Sequence, residues 1–85
     1  MKHGPNIAQV AALIGDPARC NMLTALMGGI ALTAGELAQE AGVSPQTASA
    51  HLRQLVDAGL LRRFSAGRHR YFMLGGEDVA SLLEN

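Results

Sequence analysis

The densest chemical signal in this sequence is a cluster of cations. Arg62, Arg63, Arg68, His69 and Arg70 fall between Leu60 and Leu74, with no acidic residue among them. Guanidinium groups grouped in this way suit phosphate oxygens, which they grip through paired N–H donors. Upstream, Gln46, Ser49, Ala50 and Arg53 recur at helical spacing. At about 100° per residue, Gln46, Ala50, Arg53 and Asp57 share one helix face and Ser49 lies at its margin. That set suits a major groove: Gln pairs with adenine, Arg with guanine, and a short Ala leaves room for a thymine methyl. Gln46, Ser49, Ala50 and Arg53 are therefore the expected base readers. Ser44, Thr47, His51 and Gln54 flank them and are expected on the sugar-phosphate backbone, together with the five basic residues downstream. The helix N-terminus helps Ser44 and Thr47 in that role. Asp57 would repel phosphate and is expected beyond the contact surface.

Each feature alone has a plainer explanation. Polar residues on a helix face usually meet only water, and a charge run is usually a solvated surface. The weight lies in their succession along the chain. The aromatic residues Phe64, Tyr71 and Phe72 are expected as core or as support for the basic hairpin, not as base-stacking platforms. Strand alternation sets Phe64 on the side of Leu60, and Tyr71 and Met73 opposite Phe72 and Leu74.

Other chemistries find little support. The sequence shows no nucleophile–base pair, no paired carboxylates suited to a cleft and no phosphate-binding glycine loop, so no enzymatic activity is expected. A metal site needs several converging ligands. Cys20, His3, His51 and His69 are too scattered to form one, and no metal or cofactor is expected. Cys20 sits among apolar neighbours and is expected as a small core residue, not a redox sensor. A single cysteine allows no internal disulfide, which fits a reducing cytoplasm. No signal peptide or membrane-spanning run is visible.

The chain has 85 residues, 48% of them hydrophobic and 4% aromatic. That length is one small domain. Aliphatic side chains must fill its interior, which suits packed helices. The formal net charge is zero, yet the charge is segregated. From Ser44 to Leu74, five arginines face only Asp57, a balance of +4, and the remainder carries −4. A basic segment within a neutral chain can still present a positive face.

Punctuation along the chain defines the elements that must position these residues. Asn6-Ile7-Ala8-Gln9 reads as a capping box opening a helix that Gly15 ends. Asp16-Pro17 restarts a helix, with Asp as N-cap and Pro first, and Gly28-Gly29 stops it. Ile30-Ala31-Leu32 suits a single extended rung. Thr33-Ala34-Gly35-Glu36 is a second capping box, opening a helix to Ala41-Gly42. Ser44-Pro45 opens a longer helix to Ala58, closed by Gly59. Leu60–Ser65 and His69–Leu74 read as strands joined through Ala66-Gly67-Arg68. Gly75-Gly76 precedes a last helix from Glu77 to about Leu83. The expected fold is mainly α with a small β-hairpin, ordered α-α-β-α-α-β-β-α: a winged helix-turn-helix. One domain is expected over residues 1–85, with the helix-turn-helix at about 34–58 and the wing at about 60–74.

Several segments resemble ArsR-type transcriptional regulators, the arsenic-repressor superfamily. Ile14-Gly15-Asp16-Pro17-Ala18-Arg19 looks like that family's opening "LGDPTR". Glu36-Leu37-Ala38 and Gly42 through Leu52 are similar to its "ELA…G(L/V)S…(T/A)VSRHL". Asp57 through Leu61 and Gly67 through Leu74 resemble its "AGLV" and "GR…YRL" wing. The resemblance spans about Ile7–Leu83. It implies a homodimer on an imperfect palindrome of double-stranded DNA, usually a repressor released by a signal. Dimers of the family form through the first and last helices, here Ile7, Val10, Ala11 and Ile14 with Val79, Leu82 and Leu83. These residues would alternatively complete the monomer's own core. The sequence departs from the pattern at Ala50, where an Arg or Lys commonly precedes the family's His. It also lacks the Cys-x-Cys and Asp/His sets of metal-sensing members. The short last helix and the end at Asn85 are expected of a minimal domain from a longer regulator. A winged-helix module that binds protein rather than DNA remains the alternative.

Overall fold

The computed structural model describes residues 7–84, excepting the side chain of Leu82. Its elements follow the expected order: α1 (Ile7–Ile14), α2 (Pro17–Ala25), β1 (Leu32–Thr33), α3 (Ala34–Ala41), α4 (Pro45–Asp57), β2 (Leu61–Ala66), β3 (His69–Leu74) and α5 (Glu77–Glu84). The Asn6 half of the first expected capping box lies outside the described residues.

Local chemistry accounts for most boundaries. Asp16 caps α2 by accepting from the Arg19 backbone N–H at 3.0 Å, and Pro17 opens the helix. Thr33 and Glu36 form a reciprocal capping box at α3: Glu36 N–H donates to Thr33 Oγ1, and Thr33 N–H donates to Glu36 Oε1. Ser44 caps α4 through the Thr47 N–H at 3.1 Å. Between α3 and α4 the chain must reverse within three residues. Gly42 takes the left-handed conformation there, at φ 67°, which costs glycine nothing. Its N–H reaches Gln39 O and the Val43 N–H reaches Ala38 O, the paired bonds of a Schellman close.

Leu32–Thr33, β3 and β2 make an antiparallel sheet in the order β1-β3-β2. The rung sits later than the expected Ile30–Leu32. Gly28 and Gly29 both turn at positive φ, so the chain becomes extended only at Leu32, opposite Phe72. β2 likewise begins one residue late. The Leu60 N–H closes α4 on Leu55 O, so at this position only the Leu60 carbonyl, accepting from the Gly75 N–H, continues the pairing with β3. The hairpin is closed by a two-residue turn, Gly67-Arg68, between paired Ala66 and His69.

Helices α2, α3 and α4 enclose the core. Met22, Leu23, Leu26, Leu37, Leu52, Leu55 and Leu60 are its largest fully buried side chains. Phe72 and Leu74 close it from the sheet and Val79 from α5. No polar or charged side chain is buried among the described residues, so stability rests on aliphatic packing. Truncating Leu52 to Ala should cost about 2–5 kcal/mol.

Two glycines should respond oppositely to an added methyl group. At Gly75 a Cβ would lie 2.6 Å from the Gly59 carbonyl oxygen, a backbone atom with nowhere to go. Gly75→Ala should therefore lower the melting temperature. At Gly35, within α3, the nearest atom is Thr33 Oγ1 at 4.0 Å. Gly35→Ala should raise stability by about 0.4–1 kcal/mol by restricting the unfolded chain. Thermal and urea denaturation of both variants would check the pair.

Candidate nucleic-acid interface

Helix α4 divides cleanly between core and solvent. Ala48, Leu52 and Leu55 are buried, and Gln46, Ser49, Ala50 and Arg53 are all exposed. Thr47 and Gln54 are exposed at the margins, as is Asp57 at the far end. Ser44 and Thr47 remain exposed while bonded to each other, Oγ to Oγ1 at 3.0 Å. The polar face is thus presented by burial of its opposite.

The register of the hairpin sorts the wing cations between two faces. Leu61 pairs with Leu74, Arg63 with Phe72 and Ser65 with Arg70. Pairs two apart share a face, so Arg63 and Arg70 lie on the face whose inner residues enter the core. There they meet α4. One open cleft is lined by Ser49 and Arg53 from α4 and by Arg63, Arg68 and Arg70 from the wing, over Ala34, Leu52 and Phe72. Four guanidinium groups line it and no carboxylate does. Such a lining suits a polyanion.

The other face of the hairpin is chemically different. Phe64 and Tyr71, directly opposite, stack with ring centroids 5.6 Å apart. His69 meets the Tyr71 edge at 6.2 Å. Arg62 lies on this far side, its Nη2 3.6 Å from Met73 Sδ. It borders a hollow with Glu77 and Glu84. Arg62 and His69 therefore do not join the α4 cleft, although spacing alone had grouped them with the other wing cations. Phe64 is 42% exposed, so it belongs to wing support and not to the core. An aromatic cross-strand pair of this kind stiffens a hairpin by about 0.2–1 kcal/mol.

One cluster went unnoticed in the sequence. Arg19 on α2 reaches across to α4: its Nη1 donates to Gln54 Oε1 at 3.0 Å and lies 3.2 Å from His51 Nδ1. Its Nε donates to Leu13 O at 2.7 Å, at the end of α1. A guanidinium only donates, so His51 Nδ1 must accept and the ring carries its proton on Nε2. That nitrogen lies 3.7 Å from Asp16 Oδ2. His51 is thereby turned towards α2, with a side chain only 16% exposed, and not outward to a ligand. The "Asp-Pro-Ala-Arg" segment was the available signal. Its partners lie 32 and 35 residues away, beyond what spacing can show.

Cys20 corrects an expectation: it is exposed, not a core residue. Helical periodicity explains this. Met22, Leu23 and Leu26 take the buried face of the α2 region, leaving Cys20 and Thr24 outward, with Thr24 Oγ1 donating to Cys20 O. Among the described residues, no helix is long and apolar enough to cross a membrane.

With this geometry in place, comparison with known proteins is decisive on family. The model of a helix-turn-helix domain matches residues 14–63. The chain belongs to the helix-turn-helix domain family. It is 46% identical over 80 residues to the HTH-type transcriptional regulator YdfF of Bacillus subtilis, covering 94% of this chain and 35% of that protein. It is 31% identical over 77 residues to the HTH-type transcriptional regulator CmtR of Mycobacterium tuberculosis, covering 91% and 64%. The chain thus spans from about a third to under two thirds of the length of these relatives. Among solved structures, it resembles the homodimeric winged helix-turn-helix DNA-binding domain of Mb0332 from Mycobacterium bovis, a possible ArsR-family regulator. The TM-score is 0.80 at 31% identity, covering 92% of this chain and 71% of the other. The winged fold and the ArsR-type resemblance read from the sequence are borne out, and the relatives are regulators, not enzymes.

Within this helix-turn-helix domain, the Asp16 cap yields a pH prediction. The Arg19 backbone N–H holds the Asp16 carboxyl below its ordinary value of 3.8, assisted by the charges of Arg19 and His51 and opposed by desolvation. A carboxylate favoured by folding stabilises the fold above its unfolded pKa, and the contribution disappears as pH falls through the lower folded value. The melting-temperature gap between the wild type and Asp16→Ala should therefore be full at neutral pH. It should close as the pH drops below 3.8.

Proposed function

We propose that this domain binds double-stranded DNA sequence-specifically, as a homodimer on an imperfect palindrome, and regulates transcription in the cytoplasm. The observation that carries this reading is the cleft between α4 and the wing, with Arg53, Arg63, Arg68 and Arg70 on its walls. In this reading α4 enters the major groove, and Gln46, Ser49, Ala50 and Arg53 meet base edges. Arg63, Arg68 and Arg70 hold the adjoining phosphates, with Ser44 and Thr47 at the helix N-terminus. Arg62 drops out of the contact set because of its place on the far face. His51 and Gln54 act on the interface through Arg19. The regulator acts as a repressor released by a signal, as the family resemblance implies.

Pairing is supported by the surface of α1. Ile7 is 67% exposed and Ala11 is exposed, with Ile14 half-buried beside them and Leu83 half-buried on α5. Val10 and Val79 are buried in the chain's own core, so the pairing surface would consist of the first four. The homodimeric state named for the Mb0332 domain supports pairing in general.

Fluorescence anisotropy with a selected palindromic duplex and a random one tests the reading. Arg53→Ala should erase the preference between them, by about 1–3 kcal/mol. Arg68→Ala should weaken binding to both, and Arg62→Ala should change neither. Failure to bind either duplex at low salt would favour the protein-binding alternative. Ile7→Glu should leave the monomer folded, since Ile7 is already exposed. It should shift sedimentation towards the monomer and reduce affinity for the palindrome far more than for the random duplex.

A further inference from the structure

We propose that Arg19 is itself a DNA-backbone contact, a guanidinium held in position by α1 and α4 so that its outer amino group meets a phosphate beside Ala50. This rests on the DNA-binding reading above and adds a residue from outside the helix-turn-helix and the wing.

A guanidinium has five N–H donors in a fixed plane. The Nε proton goes to Leu13 O, and the two Nη1 protons face Gln54 Oε1 and His51 Nδ1. Nη2 and its two protons have no partner among the described residues. None of these acceptors is a carboxylate. The nearby carboxylate, Asp16, accepts from the backbone N–H of Arg19 and faces His51, and no salt bridge joins it to the guanidinium. Arg19 thus keeps its positive charge while most of its conformational freedom is already lost. Ordering a long side chain at an interface opposes binding, and here folding has largely removed that cost.

Arg19 lines a shallow open depression with Ser49, Ala50, His51, Arg53 and Gln54. The small side chain of Ala50 is part of its lining, and so are two guanidinium groups, Arg19 from α2 and Arg53 from α4. This depression and the wing cleft share Ser49 and Arg53. The cationic surface therefore extends on both sides of Arg53. A phosphate strand running along that flank of α4 would meet Nη2 of Arg19. Asp16, the N-cap of α2, does not line this depression. Its charge is directed to the α2 N-terminus and His51, which limits its repulsion of a phosphate.

The test is a salt titration with a short fluorescein-labelled duplex of random sequence, using wild type, Arg19→Gln, Arg19→Lys and Arg62→Gln. Each phosphate contact contributes about 0.9 to the slope of log affinity against log salt. Arg19→Gln should lower that slope by about 0.9 per protomer. Arg19→Lys, which keeps the charge, should retain it, and Arg62→Gln should match the wild type. A purely structural role predicts an unchanged slope in Arg19→Gln with a lower melting temperature, and that result would overturn the proposal while leaving the DNA-binding reading intact. Absence of binding by the wild type would overturn both. Should Arg19→Gln fail to fold, nitrogen-15 spectra of arginine side chains in the wild type decide. The Arg19 Nη2 protons should shift and exchange more slowly when duplex is added, and unperturbed signals would refute the contact.

Discussion

Everything presented by this domain depends on one burial constraint: α4 must hide Ala48, Leu52 and Leu55 completely. Those three residues are at most 1% exposed. Because they occupy one stripe, the rotation of the helix about its axis is set, and with it the direction of Gln46, Ser49, Ala50 and Arg53. Ala48 matters for its size as much as its polarity. A buried alanine lets α3 and α4 approach closely, and Gly42 allows the reversal between them. The interface is therefore an output of core packing. The direction of the α4 readers follows from this aliphatic packing.

A second constraint acts on the wing through parity. In a paired strand, neighbours point to opposite faces. Arg62 and Arg63 are adjacent, so one must leave whichever face the other serves. The choice is made by Leu61 and Leu74, whose burial anchors the register. Arg63 follows Leu61 onto the α4 side, and Arg62 goes to the side of Met73 and the α5 carboxylates. A one-residue slip would exchange these roles and expose Leu61 and Leu74, which is why the register is firmly specified.

This also explains what the sequence could and could not reveal. Caps at Asp16, Thr33 and Ser44, the stop at Gly42 and the stripe on α4 are local signals, and all appear in the structure at their expected places. The side of the sheet taken by Arg62 was not legible, because Leu60 and Leu61 are both apolar and alternation alone does not say which of them sets the inward face of the strand. Both are buried, and it is the pairing of Leu61 with Leu74 that puts Arg62 on the far side. Cys20 misled because its neighbours are apolar, yet burial follows helical phase and not neighbourhood. Arg19 was hidden for another reason: its bonds join α2 to residues of α4 far along the chain. The resemblance to a family motif marked the segment but carried no geometry.

The zero net charge, which by itself weighs against a nucleic-acid ligand, takes on a different sense in the folded chain. Arginines on α4 and the inner wing face open onto one side. Glu77 and Glu84 of α5 border the hollow beyond the sheet, beside Arg62. A neutral molecule with separated charges has a dipole, and a polyanion's field orients it during approach. Uniformly basic proteins gain affinity for any anionic surface, in any orientation. Here attraction on one side is offset by repulsion on the other, so productive alignment is favoured over adsorption in general. Affinity must then come from accurate placement of a few cations, which is what a rigid α4 stripe and an anchored wing register supply.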